Sequence, residues 1–208
     1  MGKLYNDVAG RDLGRLAALS DGIFAFAMTL LVLNIAVPAA ATIHTERELG
    51  HALLRLGPHL LTCVMTFLTL GIFWVGQQTQ LNALRSADRD VAWLHIGFMF
   101  AVVLTPFSTA LLAEFITFRL AILIYWSNIA FLGLMLYLAA RHAYRAGLFQ
   151  EHLLVGYYAL LRRIYTSQSM YAVAALLCFV NTWLSIGLIF AIQLNYVFAP
   201  RIPWLYRL

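Results

Sequence analysis

Long apolar runs separated by short polar stretches are the feature that most restricts what this sequence can form. A helix rises 1.5 Å per residue, so about 20 apolar residues cross the hydrocarbon core of a bilayer. Hydrophobic residues make up 62% of the 208 residues and charged residues 11%, with a mean hydropathy of +0.81. Too few polar side chains remain to cover a water-soluble globule. The sequence therefore predicts an all-α integral membrane protein.

The apolar runs predict six transmembrane helices in a single domain that covers residues 1–208. We place the spans at Leu16–Pro38, Leu53–Gln77, Val91–Ala113, Leu120–Ala140, Ile164–Val180 and Trp183–Ala199. The stretch 167–198 is nearly unbroken and too long for one ordinary helix, so we expect a turn at Asn181-Thr182. The polar N-terminal segment lacks an apolar signal core, and no cleaved targeting peptide is expected.

The basic residues predict the orientation of these spans. With a cytoplasmic N-terminus, the cytoplasmic side carries eleven of the fourteen Lys and Arg residues, and the positive-inside rule favours this arrangement. The eleven are Lys3, Arg11, Arg15, Arg85, Arg89, Arg141, Arg145, Arg162, Arg163, Arg201 and Arg207. We expect a multi-pass protein of the cell inner (plasma) membrane with both termini in the cytoplasm. Residues 141–163 are a candidate for an amphipathic segment on the inner surface.

Several classes of function are disfavoured by what the sequence lacks. It has no histidine pair at metal spacing, no nucleophile elbow, no Walker loop and no dinucleotide fingerprint, so we expect neither an enzyme nor a cofactor. The six histidines lie in loops or near span ends, where solvated or interfacial side chains are expected. The basic residues flank apolar runs singly or in pairs, which argues against nucleic-acid binding.

The first span carries both an apolar stripe and an acidic residue. On a helical wheel Gly22, Phe26, Thr29, Leu30 and Leu33 share one stripe. Asp21 lies about 140° around the helix from Phe26. We therefore expect Asp21 to point into the bundle, where an unpaired charge costs at least ~2.5–3.5 kcal/mol.

The expected partners of Asp21 are polar groups at the same depth. The candidates are Arg15, the Ser20 hydroxyl, the Trp74 indole and the amides of Gln77 or Gln78. A helix cap is the alternative role for Ser20-Asp21, although the apolar run starts earlier, at Leu16. No internal repeat is visible, whereas many carriers place their site between two related halves. A pathway is more easily built on an axis shared between identical subunits.

The stretch RLAALSDGIFAFAMTLLVLNI, residues 15–35, resembles the signature helix of the transmembrane protein 175 family of endolysosomal potassium channels and their prokaryotic relatives. That family's pattern is Arg-x-x-x-Phe-Ser-Asp followed by Gly-x-Phe-Ala-Ile-Ala-x-Thr-Leu-Leu. The resemblance continues through Phe73-Trp74, LTPFSTALLAEF at 104–115 and FVNTWLSIGL at 179–188, and so covers nearly the whole chain. The chain has one set of six spans and no second copy of it, which indicates the prokaryotic branch of the family.

This resemblance implies a homotetrameric, potassium-selective channel in a lipid bilayer, with the first helix of each subunit lining a central pore. It implies a pore constriction at Phe26, Leu30 and Leu33 and a selectivity layer at Thr29. It also implies a motif and helix-packing network that contains Arg15, Ser20, Asp21, Trp74 and Gln77. The Thr-Val-Gly-Tyr-Gly filter of ordinary potassium channels does not occur in the sequence. Potassium ions are the expected permeating species, with protons as a second candidate.

The sequence departs from the family pattern at three places. Leu19 replaces the motif phenylalanine, Phe26 replaces isoleucine at the constriction, and Gln77 or Gln78 stands where the family usually has histidine. Two other functions therefore stay open. One is a non-conducting membrane scaffold of the same fold, in which Phe26 closes the pore. The other is a proton-coupled carrier with Asp21 as its titrating group.

Overall fold

The computed structural model describes residues 12–198, in which helices are joined by short loops and one isolated β-bridge occurs. Its α-helices are α1 Leu13–Leu33, α2 Glu46–Arg55, α3 Gly57–Asn82, α4 Arg89–Glu114, α5 Arg119–Arg145, α6 Leu154–Leu176 and α7 Thr182–Phe198. The predicted all-α class is confirmed. Lys3, Arg11, Arg201 and Arg207 of the charge count, and Ala199 at the predicted end of the last span, lie outside the described residues.

Four of these helices are long and apolar enough to cross a membrane: α1, α3, α4 and α5. Helix α7 is apolar but only 17 residues long. Helix α6 is more polar, because its first half carries Arg162 and Arg163. Membrane crossing by α6 and α7 stays a prediction. The break between them falls at the predicted turn, where the Asn181 side chain accepts hydrogen bonds from the Trp183 and Leu184 N–H groups.

Local signals at the helix ends explain where the helices differ from the predicted spans. Helix α1 ends at Leu33 with Asn34 as its C-cap, before Pro38 is reached. Helix α2 was not predicted, and it begins with a capping box in which Thr45 and Glu48 bond each other's backbone N–H groups. Helix α3 then starts at Gly57, with proline next in the chain, a residue that suits the first turn of a helix because its missing N–H has no partner there.

The stretch 141–163, a candidate for an amphipathic segment, is divided between two helices. Helix α5 continues to Arg145 and helix α6 begins at Leu154, so the two ends of the stretch belong to these helices. Its position at the inner surface stays a prediction. Gly147 has a φ of +65°, and the Leu148 N–H donates to the Ala143 carbonyl at 2.9 Å. This is a Schellman stop, in which a glycine takes the left-handed conformation that ends a helix.

Helix α4 lies at the centre of the bundle. It packs against α1, α3 and α5, while α6 packs on α5 and α7, and α7 returns to α3. Phe98 of α4 joins Phe24 of α1 and Phe73 of α3, with ring centroids 6.0 and 6.2 Å apart. Within their apolar windows, 56% of α4 is buried but only 28% of α1. Helix α1 is therefore attached to the bundle by one side only.

The loops at one end of the bundle are tied together by backbone hydrogen bonds. The Arg85 N–H donates to Leu148 O at 2.9 Å, and the Gln150 N–H donates to Ala83 O at 3.0 Å. These bonds join the α3–α4 loop to the α5–α6 loop. The same end carries Asp88, which accepts from the Val91 N–H at 2.8 Å as the N-cap of α4.

Asp88 also lies 2.7 Å from Nε2 of His142, near the end of α5. Partial burial alone would raise the Asp88 pKa, but the hydrogen bond from the Val91 N–H and the contact with His142 outweigh it. The pKa of Asp88 is therefore lowered from its ordinary value of 3.8. A carboxyl group with a lowered pKa stabilises the fold above its ordinary pKa, and this contribution is lost as the pH falls through the lowered value.

We predict that Asp88→Ala lowers the free energy of unfolding by about 1–2 kcal/mol at neutral pH, because it removes both the cap and the His142 contact. Asp88→Asn keeps a capping oxygen and should lose less. Asp90→Asn, in the exposed first turn of α4, is the matched control. Thermal unfolding in detergent measures these differences, and wild type and Asp88→Asn should converge as the pH falls below the lowered pKa of Asp88. An equal loss in Asp90→Asn would contradict this role.

Candidate functional site

Helix α1 has a buried face and an exposed face. The buried face consists of Leu16, Ser20, Phe24, Ala27 and Leu31, which follow one another at spacings of three and four residues. The opposite face carries the predicted stripe of Gly22, Phe26, Thr29, Leu30 and Leu33, called the α1 stripe below. Phe26 is 64% exposed and Leu33 is 74% exposed, while Leu30 is half-buried. A single subunit leaves this apolar stripe uncovered.

Thr29 is the hydroxyl-bearing residue of the α1 stripe. Its Oγ1 donates a hydrogen bond to the Phe26 carbonyl at 2.8 Å, one turn earlier in the helix. The hydroxyl proton is thereby directed at the helix backbone, and the oxygen lone pairs stay available to an outside group. The exposed Thr29 therefore offers an acceptor oxygen between apolar neighbours.

Asp21 does not point into the bundle as the wheel predicted. It is exposed, and it lies at the seam between α1 and α3. Its Oδ1 accepts hydrogen bonds from the Trp74 Nε1–H at 2.8 Å and from the Gln78 amide at 3.0 Å. Both partners were among the candidates from the sequence. The carboxylate thus binds α1 to α3 along the edge of the subunit.

Ser20, the residue before Asp21, is fully buried and makes a second set of bonds. Its Oγ donates to Leu16 O at 3.1 Å and accepts from the Gln77 amide at 3.0 Å. Nε2 of His95 lies 2.8 Å from this Oγ and 3.1 Å from Leu16 O. With its proton on Nε2, the histidine donates to the Leu16 carbonyl, which can only accept. Ser20 therefore joins α1 to both α3 and α4.

Arg15 is placed at the start of α1, away from these bonds. Its backbone N–H donates to Asp12 Oδ1 at 3.1 Å, and its side chain is exposed. The guanidinium makes no hydrogen bond or ion pair within residues 12–198. Since Asp12 caps α1, the alternative of a cap at Ser20-Asp21 does not hold. The site therefore brings together Ser20, Asp21, Trp74 and Gln77, and leaves Arg15 apart from them.

His95 was missed as a member of this site. The sequence suggested a solvated or interfacial side chain, but it is only 5% exposed. It shares one buried face of α4 with Val91, Phe98 and Val102, at spacings of four, three and four residues. A polar residue within such an apolar face is the signal that could have identified it.

A second polar cluster, inside the bundle, was also missed. The Thr66 and Thr109 hydroxyls lie 2.7 Å apart, and the Gln193 amide donates to Thr69 Oγ1 at 2.8 Å. The Tyr125 hydroxyl lies between the two threonines of α3, at 3.4 and 3.3 Å. These bonds join α3, α4, α5 and α7 within one subunit, on residues that sequence spacing alone does not pair.

The cavity beside His95 is too small for a substrate. Its volume is about 10 Å³, and polar groups of Gln77 and Gln80 contribute to its lining. A space of this size holds at most one water molecule. Among the described residues no three His, Cys, Asp or Glu side chains are grouped so that they could hold a metal ion.

Comparisons with known proteins show which proteins this chain is similar to. The family model described as the endosomal/lysosomal potassium channel TMEM175 matches residues 15–106. A potassium channel of Chamaesiphon minutus is 30% identical over 188 residues, which cover 88% of this chain and 92% of that protein. A potassium channel of Streptomyces collinus is 38% identical over 103 residues, but these cover only 50% of this chain and 48% of that relative's length.

A solved structure extends the match to the fold. It is the crystal structure of a Chamaesiphon minutus homologue of the lysosomal potassium-selective channel TMEM175. It superposes with a TM-score of 0.79 at 28% identity, over 90% of this chain and 97% of that one. The family resemblance of the first span is thus confirmed over nearly the whole length, and this chain belongs to the TMEM175 family.

Proposed function

We propose that this chain is a subunit of a potassium-selective cation channel whose ion path is lined by α1. The observation that carries the proposal is the α1 stripe, which is apolar, exposed in the single subunit and interrupted by the Thr29 hydroxyl. Relatives of this chain are named potassium channels, and one solved relative is described as a homologue of a potassium-selective channel.

The assembly we propose is a homotetramer with the α1 stripe of each subunit facing a central axis. Each chain supplies one such stripe and no repeat of it, so identical subunits must provide the others. Closing the stripe around an axis also removes an exposed surface that includes Phe26 and Leu33. In this arrangement all six predicted spans, including α6 and α7, cross the inner membrane, with both termini in the cytoplasm.

Ions would be sorted in this pore by hydroxyl oxygens rather than by a carbonyl filter. Four Thr29 hydroxyls near the axis offer oxygens to a partly hydrated cation. Phe26, Leu30 and Leu33 form apolar layers that must be wetted before ions pass. Potassium gives up water more readily than sodium, so it should pass preferentially by a modest factor.

The same geometry weighs against the carrier alternative. Asp21 lies off the α1 stripe, and its Oδ1 already accepts two hydrogen bonds from α3. A carboxylate engaged in this way supports the seam between two helices. The remaining alternative, a non-conducting scaffold, depends on whether four Phe26 rings close the pore, and conductance measurements address it directly.

We predict that Thr29→Ala and Thr29→Val lower the preference for potassium over sodium, because they remove the oxygens of the proposed selectivity layer. The protein is reconstituted into planar bilayers, and conductance and bi-ionic reversal potentials are measured together. Thr79→Ala is the matched control, since Thr79 is also exposed and its hydroxyl also bonds its own helix backbone. An unchanged ion ratio in Thr29→Ala would contradict the proposed selectivity layer.

Phe26→Ala should raise the total conductance, with a smaller effect on the ion ratio, because it widens an apolar layer. Phe100→Ala on α4 removes a similarly exposed ring from outside the proposed pore and serves as its control. Loss of ion selectivity in Phe26→Ala but not in the Thr29 variants would assign the selectivity filter to Phe26, one turn before Thr29 on α1. Silence of wild type together with conduction by Phe26→Ile would support the scaffold alternative.

We predict that the purified protein is a symmetric homotetramer. Native mass spectrometry in mild detergent should give the mass of four chains. Leu33→Cys should form crosslinks between subunits in membranes, because the substituted side chain faces the common axis. Val173→Cys, at an exposed position of α6, which packs against α5 and α7, is the control and should not form them. A monomer by both methods would exclude the proposed pore.

We predict that Asp21→Asn reduces the stability of the assembled protein and leaves the ion ratio of the remaining channels nearly unchanged. Asparagine keeps one acceptor oxygen for Trp74 and Gln78 but loses the charge, and charge-assisted bonds are about twice as strong as neutral ones. Asp21→Ala removes the acceptor and should be worse. Yield, thermal stability and reversal potential are measured together. Normal assembly with loss of potassium preference would assign Asp21 to ion selection instead.

A further inference from the structure

Helices α5 and α6 carry two pairs of tyrosines where their ends adjoin. The Tyr137 and Tyr165 ring centroids lie 5.5 Å apart, and the Tyr144 and Tyr158 hydroxyls lie 3.4 Å apart. The first residue of each pair belongs to α5 and the second to α6, and the pairing order shows that the helices run antiparallel. The two pairs therefore form two rungs between the helices.

Arginines lie on the same faces as these tyrosines. On α5 this face carries Tyr137, Arg141, Tyr144 and Arg145, which follow one another at spacings of four, three and one residues. On α6 it carries Tyr158, Arg162 and Tyr165, at spacings of four and three residues. We call these seven residues the tyrosine–arginine face. Since position 137 pairs with 165 and position 144 with 158, Arg141 and Arg162 fall between the two tyrosine pairs.

The positive charge of this face is not balanced within the subunit. Arg141, Arg145 and Arg162 are exposed, and none of them forms an ion pair with a carboxylate of the described chain. Arg141 Nη1 donates to the Tyr137 hydroxyl at 3.3 Å, and its guanidinium lies 6.0 Å from the centre of that ring. These two contacts with Tyr137 leave most of the N–H donors of the Arg141 guanidinium unused.

The face lies away from the proposed pore. Helix α1 packs against α3 and α4, whereas α6 packs against α5 and α7. The face is also at the end of the bundle that the basic residues place in the cytoplasm, and tyrosines are enriched at the membrane–water interface. Leu134, three residues before Tyr137, continues the face toward the membrane with an exposed apolar side chain.

We propose that the tyrosine–arginine face binds the headgroup of an anionic phospholipid of the inner leaflet. The guanidinium of Arg141 matches a phosphate with two parallel N–H donors, and Arg162 supplies a second positive charge at the same level. The hydroxyls of Tyr144 and Tyr158 supply polar contacts at the rim of the face. Basic pockets between transmembrane helices on the cytoplasmic side suit such lipids.

The test compares phosphatidylglycerol with phosphatidylcholine, added to the purified full-length protein in detergent. Native mass spectrometry counts bound lipid, and thermal unfolding measures the stabilisation as a function of lipid concentration. We expect phosphatidylglycerol to bind more tightly and to stabilise more. Each of Arg141→Gln and Arg162→Gln should weaken its apparent affinity about fivefold, which corresponds to the contribution of one basic residue at an anionic membrane surface.

The control variant carries Arg47→Gln and Arg55→Gln on α2, at the predicted outer side, and loses the same charge as the double Arg141→Gln, Arg162→Gln variant. It should retain phosphatidylglycerol binding. Arg141→Lys keeps the charge but loses the two-donor fork, so we expect an affinity between those of wild type and Arg141→Gln. That result would also show that the folded protein tolerates a substitution at this position. Equal binding of both lipids, or an equal loss in the control, would overturn the proposal.

A further arm replaces the lipid with inorganic phosphate. If phosphate alone gives the full stabilisation, the face is a site for a free anion and the lipid proposal is wrong. None of these measurements requires ion conduction. A failure of lipid binding is therefore distinguishable from a failure of the channel proposal, which is tested by reversal potentials.

Discussion

The structure depends on one constraint: polar side chains at membrane depth must find hydrogen-bond partners within the protein, because lipid offers none. Ser20 meets this constraint through Gln77 of α3 and His95 of α4, and Asp21 meets it through the indole and amide groups of α3. Because these two side chains are consecutive, together they determine both the rotation and the height of α1. The rotation in turn leaves the α1 stripe uncovered.

The features that were predictable from the sequence are those set by local geometry. A period of 3.6 residues depends only on the helix itself, so the division of α1 into two faces followed from the order of its residues. A search for apolar runs passes over α2, which is short and polar, although Thr45 and Glu48 are a readable start signal. The same search treated the end of α5 and the start of α6 as one segment. Hydropathy does not show that α5 ends there, because the end is set by the left-handed conformation of Gly147.

The partners across helices were not predictable in the same way. His95 is separated from Ser20 by 75 positions, and Gln193 from Thr69 by 124. Which polar residues meet depends on which helices pack and at what height, and periodicity specifies neither. A sequence can show that a polar residue within an apolar span needs a partner, as it did for Asp21, and can nominate candidates on an adjacent span. Only the rotation of α3 shows which glutamine bonds which side chain: Gln77 donates to Ser20, and Gln78 donates to Asp21.

The bonds of Ser20 and Asp21 show what the seam between α1 and its neighbours requires. Gln77 of α3 directs an amide N–H at the Ser20 hydroxyl, and an imidazole nitrogen of His95 reaches the same oxygen from α4. The buried hydroxyl thus has two nitrogen partners, one from each neighbouring helix. An amide cannot carry a positive charge, so the bond from Gln77 holds the buried face of α1 without adding one. The carboxylate of the motif is left at the exposed seam, where the Trp74 and Gln78 donors suffice for it and where no charge has to be buried.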